Sequence, residues 1–357
     1  MGPVGLTVPA ALGNPPQPFR LLLDLSFDTL FVPSATLDLS HASPGYNIFR
    51  YYSNESSTFV PGPPGQRHTV NHGLVHFGGE VAFDDFIIAN VHTKHQPFIN
   101  IDEAYQTALL ALWWDHDGVL GLSPRWNTSA NYSSTPSPWS VMVDQGVLDH
   151  NLFALDIPRG PNHLDDPQMG ELSFGGINPK YESSNFAALP IVQDNDRVWA
   201  VEAQSVTWTN KTHPIHYQFD NTTAIFTTDW VVALPDPMAK ELASSLSQWV
   251  FCNVYWCWVE CAAREHMPDF VFQLAGQNFT VTAFEYAPMA VSQYKEPRCS
   301  FDIWSSEAYL NPEHPVAAGS ILLGTPFLNA FYSVFDLDKR EIRRKCSLLS
   351  LPIHSSN

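Results

Sequence analysis

The chain has 357 residues and a formal charge of −18, with 36 acidic against 18 basic side chains. So acidic a balance, with no basic patch, excludes nucleic acid as a partner. Hydrophobic residues at 45% and charged residues at only 15% make a globular chain, long enough for two lobes and a large core, and no apolar run is long enough to cross a bilayer.

Met1-Gly2-Pro3 carries no secretory leader, so the chain reads as one whose leader has been removed. Six Asn-X-Ser/Thr acceptors begin at Asn54, Asn127, Asn131, Asn210, Asn221 and Asn278, and so many point to a glycoprotein of the secretory pathway or the extracellular space. The 5 cysteines, Cys252, Cys257, Cys261, Cys299 and Cys346, all lie in the last third, where a lumenal setting permits disulfides.

Taken in order, short apolar runs are punctuated by Pro and Gly, the pattern of a strand-dense chain. Strands are expected at Gly5 to Ala10 and Phe19 to Asp24, joined by a turn at Asn14-Pro15-Pro16. Leu21-Leu22-Leu23 delivers Asp24 to a turn, and Leu30-Phe31-Val32-Pro33 returns. Further strands follow within Val75 to Val91, at Leu109 to Trp114, and at Asp117 to Leu122, which runs into a turn and a short helix. Pro138 to Gly146 reads as a surface helix, and Leu152 to Ile157 and Gly170 to Gly176 again as strands. Thr223 to Phe226 leads into a turn holding Asp229. Asp236 is expected to cap an amphipathic helix running to Leu246, with Pro237 in its first turn. Phe270 to Leu274 and Phe279 to Phe284 form a hairpin. Strand, turn, strand and an apolar-apolar-Gly occur once per half, as Val119-Leu120-Gly121 and Leu322-Leu323-Gly324, which is an internal duplication.

The segments Leu30 to Ser34, Asp117 to Leu122, Leu152 to Leu155, Gly170 to Gly176, Ile321 to Phe327 and Tyr332 to Asp336, in this order and spacing, resemble the pepsin-like aspartic proteases over nearly the whole chain. The resemblance implies a mainly β fold with short helices. It implies two pseudo-twofold-related lobes, 1–185 and 186–357, around a central cleft with a flap hairpin, and one Asp-bearing loop from each lobe. It also implies that Cys261 and Cys299 are the ends of a disulfide.

Asp24 falls on the first catalytic Asp of that family, but Leu25, Ser26, Phe27 and Phe31 depart from its pattern. Peptide hydrolysis of this kind needs two facing carboxyls that share one proton and hold a water. In the second loop, Thr227 takes the acid's position when aligned from Ala224-Ile225, and Phe226 does when aligned back from Leu234-Pro235. Asp229 fits only if the loop is shorter by about three residues. Thr cannot serve as the base for a water near neutral pH. Beside Asp24, the apolar Phe27 would favour a protonated acid. In the flap, His72 takes the place of a Tyr, with Gly73 keeping the turn, and is a candidate second proton-transfer group; the alternative is a solvent-facing loop histidine. His68, His72 and His76 are spaced by four in strand-turn-strand sequence, which is not a metal site, and no cofactor is expected. Phe27, Phe31, Trp113, Trp114, Asp229 and Trp230 are candidate ligand contacts in an apolar cleft.

Three functions are open. The first is a pseudo-protease that binds a peptide or another ligand without cleaving it. The second is an enzyme of another class, an isomerase or cyclase acting on a small hydrophobic molecule through Asp24 and His72. The third is an atypical active endopeptidase with a recruited acid. All three are compatible with a monomer.

Overall fold

In the computed structural model the described residues are 6–39, 48–72, 75–105, 116–124, 135–157, 170–182, 185–192, 198–210, 213–252, 257–289, 298–306 and 319–346. They are mainly strand with a few short helices, as the strand-dense sequence requires. By packing, the chain divides into two compact units, Met1–Asp149 with Asp196–Val198, and His150–Asn195 with Trp199–Asn357.

The first unit is built on β1 (Thr7–Leu12), β2 (Gln17–Asp24), β3 (Leu30–Pro33), β4 (Val60–Pro61), β5 (Arg67–His72), β6 (Val75–Ile88), β7 (Val91–Tyr105) and β8 (Gly118–Gly121). These form one sheet in the order β1-β2-β8-β3-β7-β6-β4, with β5 on β6 and a further pairing of β1 with β6. The period-2 pattern of β2 buries Phe19, Leu21 and Leu23. Phe31, Leu37, Phe77, Ile99, Ile101 and Val119 form a core cluster of this unit. Asp117, in the turn before β8, is buried, and its carboxylate accepts the backbone N–H groups of Arg20 at 2.7 Å and Phe49 at 2.9 Å. The helix expected at the surface is α1 (Pro138–Asp144), capped by the Ser137 hydroxyl, which accepts the Ser140 N–H at 3.1 Å; it is mostly buried instead, through Pro138, Trp139, Val141 and Met142. Leu109 to Trp114 and the segment after Pro124 lie outside the described residues.

The second unit carries β9 (Leu152–Asp156), β10 (Glu171–Phe174), β11 (Ala187–Pro190), β12 (Trp199–Asn210), β13 (His213–Phe226), β14 (Val232–Leu234), β15 (Val250–Cys252), β16 (Cys257–Glu260), β17 (Phe270–Leu274), β18 (Gln277–Val281), β19 (Arg298–Ser300), β20 (Ile303–Ser305), β21 (Ile321–Leu323), β22 (Phe331–Asp336) and β23 (Glu341–Cys346). One sheet runs β18-β17-β12-β13-β21-β14-β20, a second β10-β9-β22-β23-β11, and a third β15-β16-β19. The packing division follows Asp149 because β9 pairs with β22, from the far end of the chain. The 185/186 division is the one that the family resemblance implies.

Short helices join these strands: α2 (Pro179–Glu182), α3 (Asp236–Ser245), α4 (Ala283–Tyr286) and α5 (Thr325–Leu328). Two local expectations need correction. Pro235, not Asp236, is the N-cap of α3; the Asp236 carboxylate is engaged instead by Lys240 one turn on and by the Ser305 hydroxyl at 3.0 Å. The strand expected to reach Phe284 ends at Val281, because Thr282 and Glu285 form a reciprocal capping box that starts α4.

Candidate functional site

Asp24 is the last residue of β2, at the point where the chain leaves the sheet. β2 pairs in parallel with β8, Leu23 opposite Leu120 and Asp24 opposite Gly121. β3 returns antiparallel to the same strand, Leu30 opposite Leu120. The turn between them is held by the carboxylate itself, whose Oδ1 accepts the Ser26 N–H at 2.7 Å. The Asp24 carbonyl accepts the Leu122 N–H at 2.7 Å. Gly121 makes this approach possible, since a Cβ there would lie 2.4 Å from the Phe27 carbonyl oxygen and 2.5 Å from the Thr29 nitrogen.

The second unit repeats this wiring. β13 pairs in parallel with β21, Phe226 opposite Leu323, and β14 returns antiparallel with Val232 opposite Leu323. Leu323 therefore matches Leu120, Phe226 matches Leu23, and Thr227 stands at the position of Asp24. The Thr227 N–H donates to the Leu323 carbonyl at 3.1 Å, and its Oγ1 accepts the Asp229 N–H at 3.1 Å. That is the same i to i+2 contact that the Asp24 carboxylate makes with Ser26. Gly324 plays the part of Gly121: a Cβ there would lie 2.2 Å from the carbonyl oxygens of both Asp229 and Val231. By this anchor Asp229 corresponds to Phe27. Counted from Asp24 to Leu30 and from Thr227 to Val232, the second loop is one residue shorter. That single deletion is why the two sequence alignments disagreed.

A family model described as eukaryotic aspartyl protease matches residues 7–344. The chain belongs to that family. Vacuolar protease A of Arthroderma otae is 27% identical over 335 residues, covering 92% of this chain and 75% of the relative. Cathepsin D of Dictyostelium discoideum is 25% identical over 341 residues, covering 93% and 80%. Cathepsin D of Chionodraco hamatus is 24% identical over 337 residues, covering 93% and 78%.

Within this aspartyl protease fold the remaining candidate residues divide by burial. Phe31 is a core side chain, 1% exposed, packed edge-on to Phe27 and tilted against Phe77, both with centroids 5.7 Å away; its ring serves the core and offers no surface to a ligand. Phe27 is partly exposed. In the second loop Trp230 is partly exposed and meets Trp304 edge-on at 5.2 Å. Trp304 escaped the sequence reading; its signal was its place in the apolar pair Ile303-Trp304 shortly after Cys299. Trp113 and Trp114 lie outside the described residues.

The flap strands form the β5–β6 hairpin, His72 opposite Val75 at its end; the His72 side chain and Gly73 lie outside the described residues. Burial pushes His68 down from its ordinary value. Among the described residues no cluster of His, Cys, Asp or Glu could hold a metal ion, and no helix is long and apolar enough to cross a membrane. Cys261 is bonded to Cys299 and Cys252 to Cys257, while the Cys346 side chain lies outside the described residues. Asn54, Asn221 and Asn278 are exposed; Asn127, Asn131 and the Asn210 side chain lie outside the described residues.

Asp302, just before β20, was also missed. It is 3% exposed, its Oδ1 has no hydrogen-bond partner among the described residues, and burial pushes its carboxyl up to about 8 against the opposing contribution of Ser300. Its backbone serves the second loop, because the Asp302 carbonyl accepts the Val232 N–H at 2.8 Å.

Proposed function

We propose that this member of the aspartyl protease family binds a peptide-like or small hydrophobic ligand and does not hydrolyse peptide bonds. The observation that carries this reading is Thr227 at the register position of Asp24. A pair of carboxyls sharing a proton can both activate a water and protonate a carbonyl. A carboxyl and a threonine hydroxyl cannot, because the hydroxyl is neither an acid nor a base in the working pH range. Asp229 does not repair the loss in this reading, since it lies two residues beyond the required position and its N–H makes the contact that Ser26 makes in the first loop. Asp24 serves as a hydrogen-bonding anchor for the ligand, and Phe27 near it in the same loop supplies apolar surface.

Two disulfides and three exposed acceptor asparagines favour a glycoprotein of the secretory pathway; relatives named vacuolar protease A are consistent with a chain that enters that pathway. The protein acts as a monomer in this reading.

The test is binding with recovery. The full chain is titrated calorimetrically at pH 4 to 6 with pepstatin and with a pepstatin-length peptide that has an ordinary amide in place of the statine. The peptide is then recovered for mass spectrometry. Binding with the peptide recovered intact is the expected result; cleavage products that pepstatin suppresses overturn the reading.

A further inference from the structure

The alternation of β23 turns Ile342 and Arg344 to the core, 0% and 1% exposed, while Glu341, Arg343 and Lys345 remain partly exposed. Arg343 has carboxylates beside it: its Nη2 donates to Asp336 at 2.8 Å, and its Nε, though without a hydrogen bond among the described residues, forms an ion pair with Glu341 at 3.5 Å. Arg344 has no such provision. Its Nε, Nη1 and Nη2 are all buried and have no hydrogen-bond partner among the described residues. Aromatic rings surround it instead. The guanidinium carbon lies 4.4 Å from the Phe226 ring centre, 4.8 Å from that of Phe327 and 5.9 Å from that of Phe331. Those rings also pack on one another, Phe226 with Phe327 at 5.9 Å and Phe327 with Phe331 at 5.2 Å.

Ring faces attract the positive charge but do not supply the oxygen or halide acceptors that a guanidinium's five N–H groups require. Burial works strongly against the charged form, yet a guanidinium is not deprotonated in a protein. A cation in an apolar cage therefore calls for one compensating negative charge.

We infer that Arg344 anchors an internal site for a small monovalent anion, a halide or a short carboxylate such as formate. One anion against one guanidinium leaves a neutral pair, which suits a cage of phenyl rings. A dianion such as sulfate would leave an excess charge there. The site adjoins the second loop, because Phe226 is the residue before Thr227. Occupancy therefore stabilises the second unit from behind that loop, whatever the loop binds.

The experiment follows thermal unfolding of the full chain in sodium chloride, sodium formate and sodium sulfate, with ionic strength held constant by sodium gluconate. Chloride or formate is expected to raise the unfolding temperature by about 3 °C per tenfold increase once the site fills, and sulfate to add nothing. Which of the two acts at lower concentration separates a halide site from a carboxylate site. Arg344→Met is expected to unfold at a higher temperature than the parent in gluconate alone and to lose the response. No response in the parent, or an equal response in parent and variant, overturns the inference. Should the variant not fold, crystals of the parent grown in bromide give the same decision: an anomalous peak at the guanidinium supports the site, and no peak there at saturating bromide overturns it.

Discussion

The loops at Asp24 and Thr227 share their wiring and differ in their chemistry. In each, a strand enters parallel to a short apolar-apolar-Gly strand, a side-chain oxygen accepts the N–H two residues on, and a return strand pairs antiparallel to the same partner. Thr227 supplies the same turn-forming acceptor as Asp24 without an acid. The difference teaches that the structural and the chemical duties of this position are separable. A hydroxyl is enough to bend the chain, and only a carboxyl is enough to move protons.

The comparison extends to the neighbouring strands. Phe31 lies opposite Ile99 in the first unit and Ala233 opposite Trp304 in the second. Counting along these registers, the buried Asp302 falls where the first unit has Pro97. This gives the largest expected effect on stability. The folded carboxyl titrates at about 8, above its ordinary value of 3.8. Below pH 4 both folded and unfolded chains hold the proton and stability is full. Between pH 4 and 8 only the unfolded chain releases it, so stability falls as pH rises, by about 5 kcal/mol at most. Asp302→Asn is expected to flatten this slope and to exceed the parent at pH 8. Urea unfolding at pH 4, 6 and 8 checks both, and a parent slope of opposite sign would break the comparison.

Next in size are the glycines that let the loops approach their partner strands. Gly324→Ala should cost about 3 kcal/mol, because its Cβ meets two backbone oxygens that cannot swing aside, and Gly121→Ala somewhat less. Equal and negligible losses in urea unfolding would show that the close approach is not structural. Smaller again is Thr227→Val, which removes the Oγ1 that accepts the Asp229 N–H and should cost about 1–2 kcal/mol. Asp24→Asn keeps an acceptor for Ser26 and should change stability by less than about 0.5 kcal/mol. If Thr227→Val proved the milder of the two, the shared turn contact would not be the device that holds the loops.

Much of this was legible in the residues. Alternation and turn chemistry marked β2, β3, β9 and β17, and the strand entering a turn at Asp24 stood out because one carboxylate interrupts an apolar run. The second loop was harder. A one-residue deletion leaves Phe226, Thr227 and Asp229 as competing matches in the sequence, and the pairing of β13 and β14 with Leu323 is what favours Thr227 in the proposed reading. The Cys252–Cys257 bond was hidden for a similar reason, since five cysteines allow many pairings until the β15–β16 register sets these two opposite each other. Asp302 and Arg344 were invisible because charged residues are read as surface, and period-2 alternation gives a face without saying how deep it lies.

The central claim is that the loss of the acid at Thr227 removes peptide hydrolysis. Its most direct test is the rate at which the full chain cleaves an acid-denatured protein between pH 3 and 6, with and without pepstatin, beside the Asp24→Asn variant. The account predicts no cleavage above the background of the variant at any pH. Pepstatin-sensitive cleavage by the parent that disappears in Asp24→Asn would contradict it.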